Sequence, residues 1–214
     1  QNVSEQLDKL LSGEIGLAYS NTRKSQASVD HEKGIDWSVN GMFDSADGKT
    51  YPKGDASFDI GVALPLANSS MWLYNSIGAA DGDASSSLSN FYFGGFHNNY
   101  VDNREVKRYR EYETFPGFEI DALGGRRFMR NMLEWNAPPV RFEEVGKPGF
   151  YLSYIRPAVF LGSLVIQDSI AGGTRRYQDA GVQFDLSFTL MDHLPMTVSF
   201  GYAQGFESGD KVDD

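Results

Sequence analysis

The chain has 214 residues, a formal net charge of −10 and no cysteine. That length suits one domain or one medium barrel. The acidic balance excludes nucleic acid as the main partner, because phosphate binding needs a clustered cationic face, and the lack of cysteine excludes disulfide scaffolds, thiolate metal sites and cysteine nucleophiles.

Taken in chain order, residues 4–11 carry Leu7, Leu10 and Leu11 at a spacing that suits a brief amphipathic turn. Residues 1–12 are therefore expected to be a linker or short helix from an upstream region, and 13–214 a separate unit. From there period-two alternation dominates. Ile15, Leu17 and Tyr19 alternate with Glu14, Gly16, Ala18 and Ser20; Ile35, Trp37, Val39 and Phe43 with Asp36, Ser38 and Asn40; Phe58, Ile60, Val62 and Leu64 with Asp59, Gly61 and Ala63. Met71, Leu73, Ile77 and Ala79 form the next apolar face, and Phe91 with Phe93 marks another strand. Met129, Leu133 and Trp135 stand opposite Arg130, Glu134 and Asn136. Residues 150–166 are apolar on both faces and contain Pro157, which predicts a bent strand or one covered on both sides. Residues 182–190 and 196–206 alternate on either side of a tight hairpin at 192–195.

Roughly nine or ten strands result. Short connections at 64–70 and 191–195 are set against long ones at 81–87, 100–118 and 167–177. The repeated apolar face predicts lipid contact; the small, polar opposite face suits a wet or plugged interior; and Tyr19, Trp37, Tyr51, Trp72, Tyr74, Trp135, Tyr154 and Tyr202 are placed as an interfacial aromatic girdle. The expected fold is all-β, an antiparallel transmembrane barrel of the outer-membrane type, present as roughly nine or ten strands of a larger barrel. A soluble β-sandwich also alternates, and is the competing reading.

From Asn90 the text becomes more specific: Asn90-Phe91-Tyr92-Phe93-Gly94-Gly95-Phe96, Val106-Lys107-Arg108-Tyr109-Arg110-Glu111-Tyr112, Phe115-Pro116-Gly117, Ala122-Leu123-Gly124-Gly125-Arg126-Arg127-Phe128, then Asp179-Ala180-Gly181-Val182-Gln183-Phe184-Asp185-Leu186 and Val198-Ser199-Phe200-Gly201-Tyr202-Ala203. Together they resemble the C-terminal barrel region of the bacterial surface-antigen (BamA/TamA-type) superfamily, as found behind TolB-like β-propeller repeats. The resemblance implies a barrel of about sixteen strands in the outer membrane. It also implies a role in protein translocation or assembly, or in anchoring, with lipid, lipopolysaccharide and other envelope domains or chains as partners. A loop of that superfamily enters the barrel with an Arg-Gly-aromatic tip; Arg126-Arg127-Phe128 is the nearest match, with Arg127 where the pattern has glycine. The family pattern also has a further apolar strand where residues 207–214 read as a loop, so the chain is expected to be an internal piece of a longer protein.

The candidate functional feature is charged. Arg104, Lys107, Arg108 and Arg110, mixed with Glu105, Glu111 and Glu113, are expected to fold inward and pair with groups such as Glu119, Asp121, Arg126, Arg127, Arg130 and Glu134. Gly117, Gly124 and Gly125 allow the reversals this needs. Unpaired buried charge is expensive, so such a set must be internally matched. No catalytic residue, cofactor or metal is expected: His31, His97 and His193 sit in turns without a hydrolase motif, and the Asp and Gly residues of 44–48 and 81–83 suit turns better than calcium. The alternatives within the membrane are a passive pore and an outer-membrane hydrolase.

Overall fold

The structure is a computed structural model and describes residues 9–26, 28–83, 86–96, 107–142, 145–167, 173–191 and 193–208. It is all-β. The strands are β1 (Leu10–Arg23), β2 (Lys33–Ala46), β3 (Lys49–Ala63), β4 (Ser70–Ala80), β5 (Phe91–Phe93), β6 (Leu123–Gly125), β7 (Arg127–Asn136), β8 (Val140–Arg141), β9 (Gly146–Lys147), β10 (Phe150–Gln167), β11 (Thr174–Leu190) and β12 (Leu194–Ser208). Eight of them form an antiparallel path, β1-β2-β3-β4-β7-β10-β11-β12; β8 and β9 also pair with β10, and β5 pairs with β6 in a small second sheet. β1 and β12 are each bonded along one side and do not pair with each other, so the sheet is open.

Local chemistry explains the joints. Asp47 and Gly48 both have positive φ, 50° and 79°, the backbone a two-residue hairpin turn demands; of the acidic 44–48 run, 47–48 make the turn between β2 and β3 while 44–46 end β2. β10 is one long strand. A register shift between Leu152 and Tyr154 relieves it, and the Pro157 carbonyl accepts from the Ala137 N–H.

Antiparallel partners share a face, so register sorts every side chain. One face carries Leu17 beside Val39, Ile60 beside Leu73, Leu73 beside Leu133, Leu161 beside Leu133, Val159 beside Val182 and Val182 beside Tyr202. These residues are exposed or half-buried: Ile15 is 80% exposed, Leu161 55% and Tyr202 69%. The other face carries Asp55, Ser76, Arg130, Glu134, Asp179, Gln183 and Asp185, all buried.

The register is also staggered. A line along the partners of Leu17, in the middle of β1, runs through Val39, Ala56, Ile77, Met129, Val165 and Arg176 to Ser208, the last residue of β12. The central residue of β12 is Gly201, so the line drifts seven positions while crossing seven strand pairs. One residue per pair, at ~3.3 Å rise and ~4.8 Å spacing, tilts the strands by about 35° from the perpendicular of a line drawn through the strand centres.

Three expectations are corrected. Leu10 and Leu11 belong to β1, paired with Ala46 and Ser45, so the first strand of the sheet begins inside the expected linker. Phe91 and Phe93 form β5, which packs on the sheet instead of joining it. Tyr51, Trp72 and Tyr74 are buried on the charged face and are core, not girdle. The strand ends that flank the short connections 64–69 and 191–193 lie at one end of the sheet and those that flank the long connections 81–126 and 168–173 at the other, as expected, with the two-residue turn 47–48 added at the long end.

Candidate functional site

The described parts of the long β4–β7 connection, 86–96 and 107–126, fold back over the charged face. Its elements are a 3-10 turn at Ser87–Ser89, β5, a 3-10 turn at Arg108–Arg110 and β6. Two apolar clusters hold it there. Phe91, Phe93, Phe115 and Leu123 pack with Phe128, Leu164 and Tyr177, and Tyr109 packs with Trp72, Tyr74, Met132 and Phe160. The Tyr109 ring stacks on Phe160 at 4.4 Å, while Phe91 and Phe93 meet the Phe128 edge at 4.9 and 4.7 Å. The face that alternation marks as small and polar thus also carries large side chains under the insertion, among them Trp72, Tyr74, Met132 and Phe160.

Glycine sets the closest approach. A β-carbon on Gly117 would lie 2.5 Å from the Gly205 Cα, and one on Gly205 would lie 2.5 Å from the Gly117 carbonyl oxygen. Gly205→Ala is expected to lower stability by about 1–3 kcal/mol, because backbone and not a flexible tip would have to move. Gly13→Ala, with open space around it, should be near neutral. Urea midpoints of the two variants check this; equal midpoints would refute close packing of 117 on β12.

Charges occupy the centre of the interface. The Arg110 guanidinium donates to Glu134 through Nε at 2.9 Å and Nη2 at 2.6 Å, and through Nη2 to Asp30 at 2.9 Å. Its carbon lies 5.6 Å from the Tyr74 ring centre. Lys107, fully buried, faces Glu134 at 3.5 Å and Asp30 at 3.4 Å and donates to Asn136. Arg156 reaches Asp30 at 3.5 Å and donates to Asp185 at 3.0 Å. Asp185 also accepts from Gln183 at 2.6 Å and Ser199 at 2.7 Å. Three cations and three anions are matched, as a buried set must be. Beside them Arg130 donates to the Tyr109 carbonyl at 2.8 Å, and the Gly117 N–H donates to Asp179 at 3.4 Å.

Burial pushes the Lys107 ammonium down, with Glu134 opposing. Burial alone would raise the Asp30 carboxyl, but Arg110, Lys107 and Arg156 outweigh it and hold Asp30 well below the usual carboxylate range. A depressed folded value gives stability that is complete above the unfolded value of about 3.9 and is lost as pH falls through the folded one. The stability gap between the wild type and Asp30→Asn is therefore expected to stay constant from pH 7 to 5 and to shrink below about pH 4. Urea titrations at each pH read it; a gap that closes near pH 6 would count against the network.

Of the expected charged residues, the structure brings Lys107, Arg110, Arg130 and Glu134 together. Arg126 lies at the rim, bonded to Asp81 at 2.7 Å; Arg127 starts β7 on the apolar face, opposite Ala79; Arg108 is half-buried; Glu119 is exposed. Arg104, Glu105 and His97 lie outside the described residues. Sequence reasoning missed Asp30, Arg156 and Asp185. Arg156 and Asp185 are direct cross-strand partners, a pairing the alternation permits but does not single out. Asp30 comes from the β1–β2 connection and has no sequence signal. Among the described residues no group of His, Asp and Glu is placed to hold a metal.

No family model matches the chain, and no curated protein and no solved structure is significantly similar to it. Fold and site define an open, antiparallel sheet whose charged face is covered by its own β4–β7 insertion.

Proposed function

We propose that the chain is the wall and plug of an outer-membrane β-barrel of surface-antigen type. The carrying observation is which face is covered. A soluble sheet buries its apolar face and wets its polar one; here the charged face is buried under the insertion over the middle strands, from β3 to β11, while the apolar face is exposed or half-buried along the whole path. The apolar residues follow the strand centres: Leu17, Val39, Phe58, Leu73, Leu133, Val159, Val182 and Phe200. The adjacent Asn75 and Asn131 interrupt them. Arg23 and Lys33 bound the band at one end, and Arg127 and Arg176 at the other. With a tilt of about 35°, such a band lies level in a bilayer. Lipid satisfies it, and the charged face becomes an interior.

An eight-stranded barrel has room for side chains alone, so a wall carrying this insertion belongs to a wider one. The barrel serves translocation, assembly or anchoring of proteins at the membrane. A passive pore is less well supported, since six matched charges hold the insertion against the wall. Purification and gel mobility test the reading. The protein is expected to require detergent and to migrate differently on SDS gels before and after boiling. A monodisperse, detergent-free protein with a single mobility would sink it.

A further inference from the structure

At one end of the apolar face, β1 and β2 set two cations side by side. Arg23 lies directly opposite Lys33. The next rows on the same face are Asn21 with Ile35, then Tyr19 with Trp37, whose rings stack at 6.1 Å. A crevice of about 340 Å³ opens here, lined by Asn21, Arg23, Lys33, Gly34 and Ile35. Like charges directly opposite one another destabilise a sheet. Both side chains are exposed, and among the described residues neither makes an ion pair. Glu32, next to Lys33 in the chain, is buried and accepts from the Ser25 N–H at 3.0 Å.

The pair asks for an anion, and its depth says which. Arg23 stands six residues from Leu17, and Lys33 six from Val39, at the strand centres. At ~3.3 Å per residue and a tilt of about 35°, that is about 16 Å along the bilayer normal. Half of a hydrocarbon core is about 15 Å. The two cations therefore stand at the level of lipid phosphates, with Tyr19 and Trp37 among the acyl chains. Arginine grips a phosphate through two parallel N–H bonds and lysine adds a point charge. The Asn21 amide supplies a neutral donor. The choline of a zwitterionic headgroup would meet two like charges, so the crevice favours a headgroup of net negative charge.

We propose that the Arg23–Lys33 crevice binds the phosphodiester of an anionic phospholipid, whose acyl chains lie over Tyr19 and Trp37. The site rests on the membrane reading, and one experiment separates the two.

The full chain is folded into vesicles, and its tryptophan fluorescence is quenched by lipids brominated along the acyl chains. A Trp135→Phe background leaves half-buried Trp37 as reporter beside buried Trp72. Where that variant does not fold, the same series in the wild type keeps the comparison, with Trp135 as a constant background. Brominated phosphatidylcholine is expected to quench Trp37 in every variant, because it reads lipid contact alone. Brominated phosphatidylglycerol, diluted into phosphatidylcholine, is expected to be preferred at least tenfold. The net charge of −10 opposes any general attraction to it. Arg23→Gln and Lys33→Gln should each lower the preference about fivefold, the scale of one cation at an anionic membrane surface. Lys49→Gln, the same charge change at the opposite end of the sheet, should leave it intact. Equal quenching by the two lipids, or an equal loss with Lys49→Gln, would overturn the proposal and leave the membrane reading standing. So would displacement of the lipid by millimolar inorganic phosphate, which would assign the crevice to the free ion. No quenching by either lipid would overturn both.

Discussion

Glu134→Ala is expected to destabilise the protein by about 3–5 kcal/mol, the cost of stranding buried charge. Glu134 is fully buried on β7 and takes both ends of the Arg110 fork, at 2.6 and 2.9 Å, with Lys107 at 3.5 Å. Its removal leaves two cations beside Asp30 alone. The effect should appear twice: in a lower urea midpoint, and in faster proteolysis near Arg108 and Arg110 as the insertion lifts from the sheet. Glu134→Ala combined with Arg110→Ala should cost much less than the sum of the single changes, because the double variant removes the stranded charge with its partner. Additive losses, or a single-variant loss below about 1 kcal/mol, would show that the aromatic clusters and not the charges hold the insertion.

Leu161→Arg is the second large effect, and its direction depends on what meets the apolar face. Leu161 is 55% exposed near the middle of β10, beside Leu133 and Ala180. Against lipid, an arginine at this depth costs about 2–4 kcal/mol. Against water, the same change falls within about ±0.5 kcal/mol and improves solubility. Folding titrations into phospholipid vesicles should therefore show a clear loss for Leu161→Arg. Gly13→Ala, near the start of β1, should show none. A neutral Leu161→Arg would remove the main support for an outer-membrane wall.

Much of the sheet was legible without coordinates. Alternation alone placed Leu17, Val39, Leu133, Val182 and Phe200 on one face and Arg130, Glu134 and Asp185 on the other, because a strand's side chains have a period of two whatever lies around it. Composition and Asp-Gly chemistry likewise marked the 47–48 turn. The charged segment around Lys107 and Arg110 was recognisable as inward-turning, since so many charges near glycines need partners if they are buried. Tertiary structure alone decided the partners. Asp30, Arg110, Glu134 and Arg156 come from four distant stretches of chain, and no local pattern records which carboxylate meets which guanidinium. The same holds for Trp72, Tyr74 and Phe160. They share the polar phase of their strands, and they became core because the described parts of the β4–β7 connection, 86–96 and 107–126, fold over that face. The sequence by itself determined two faces of opposite character. Which of them is buried was decided by a connection whose position depends on contacts far along the chain, and that decision turns an ordinary amphipathic sheet into one with its apolar side outward.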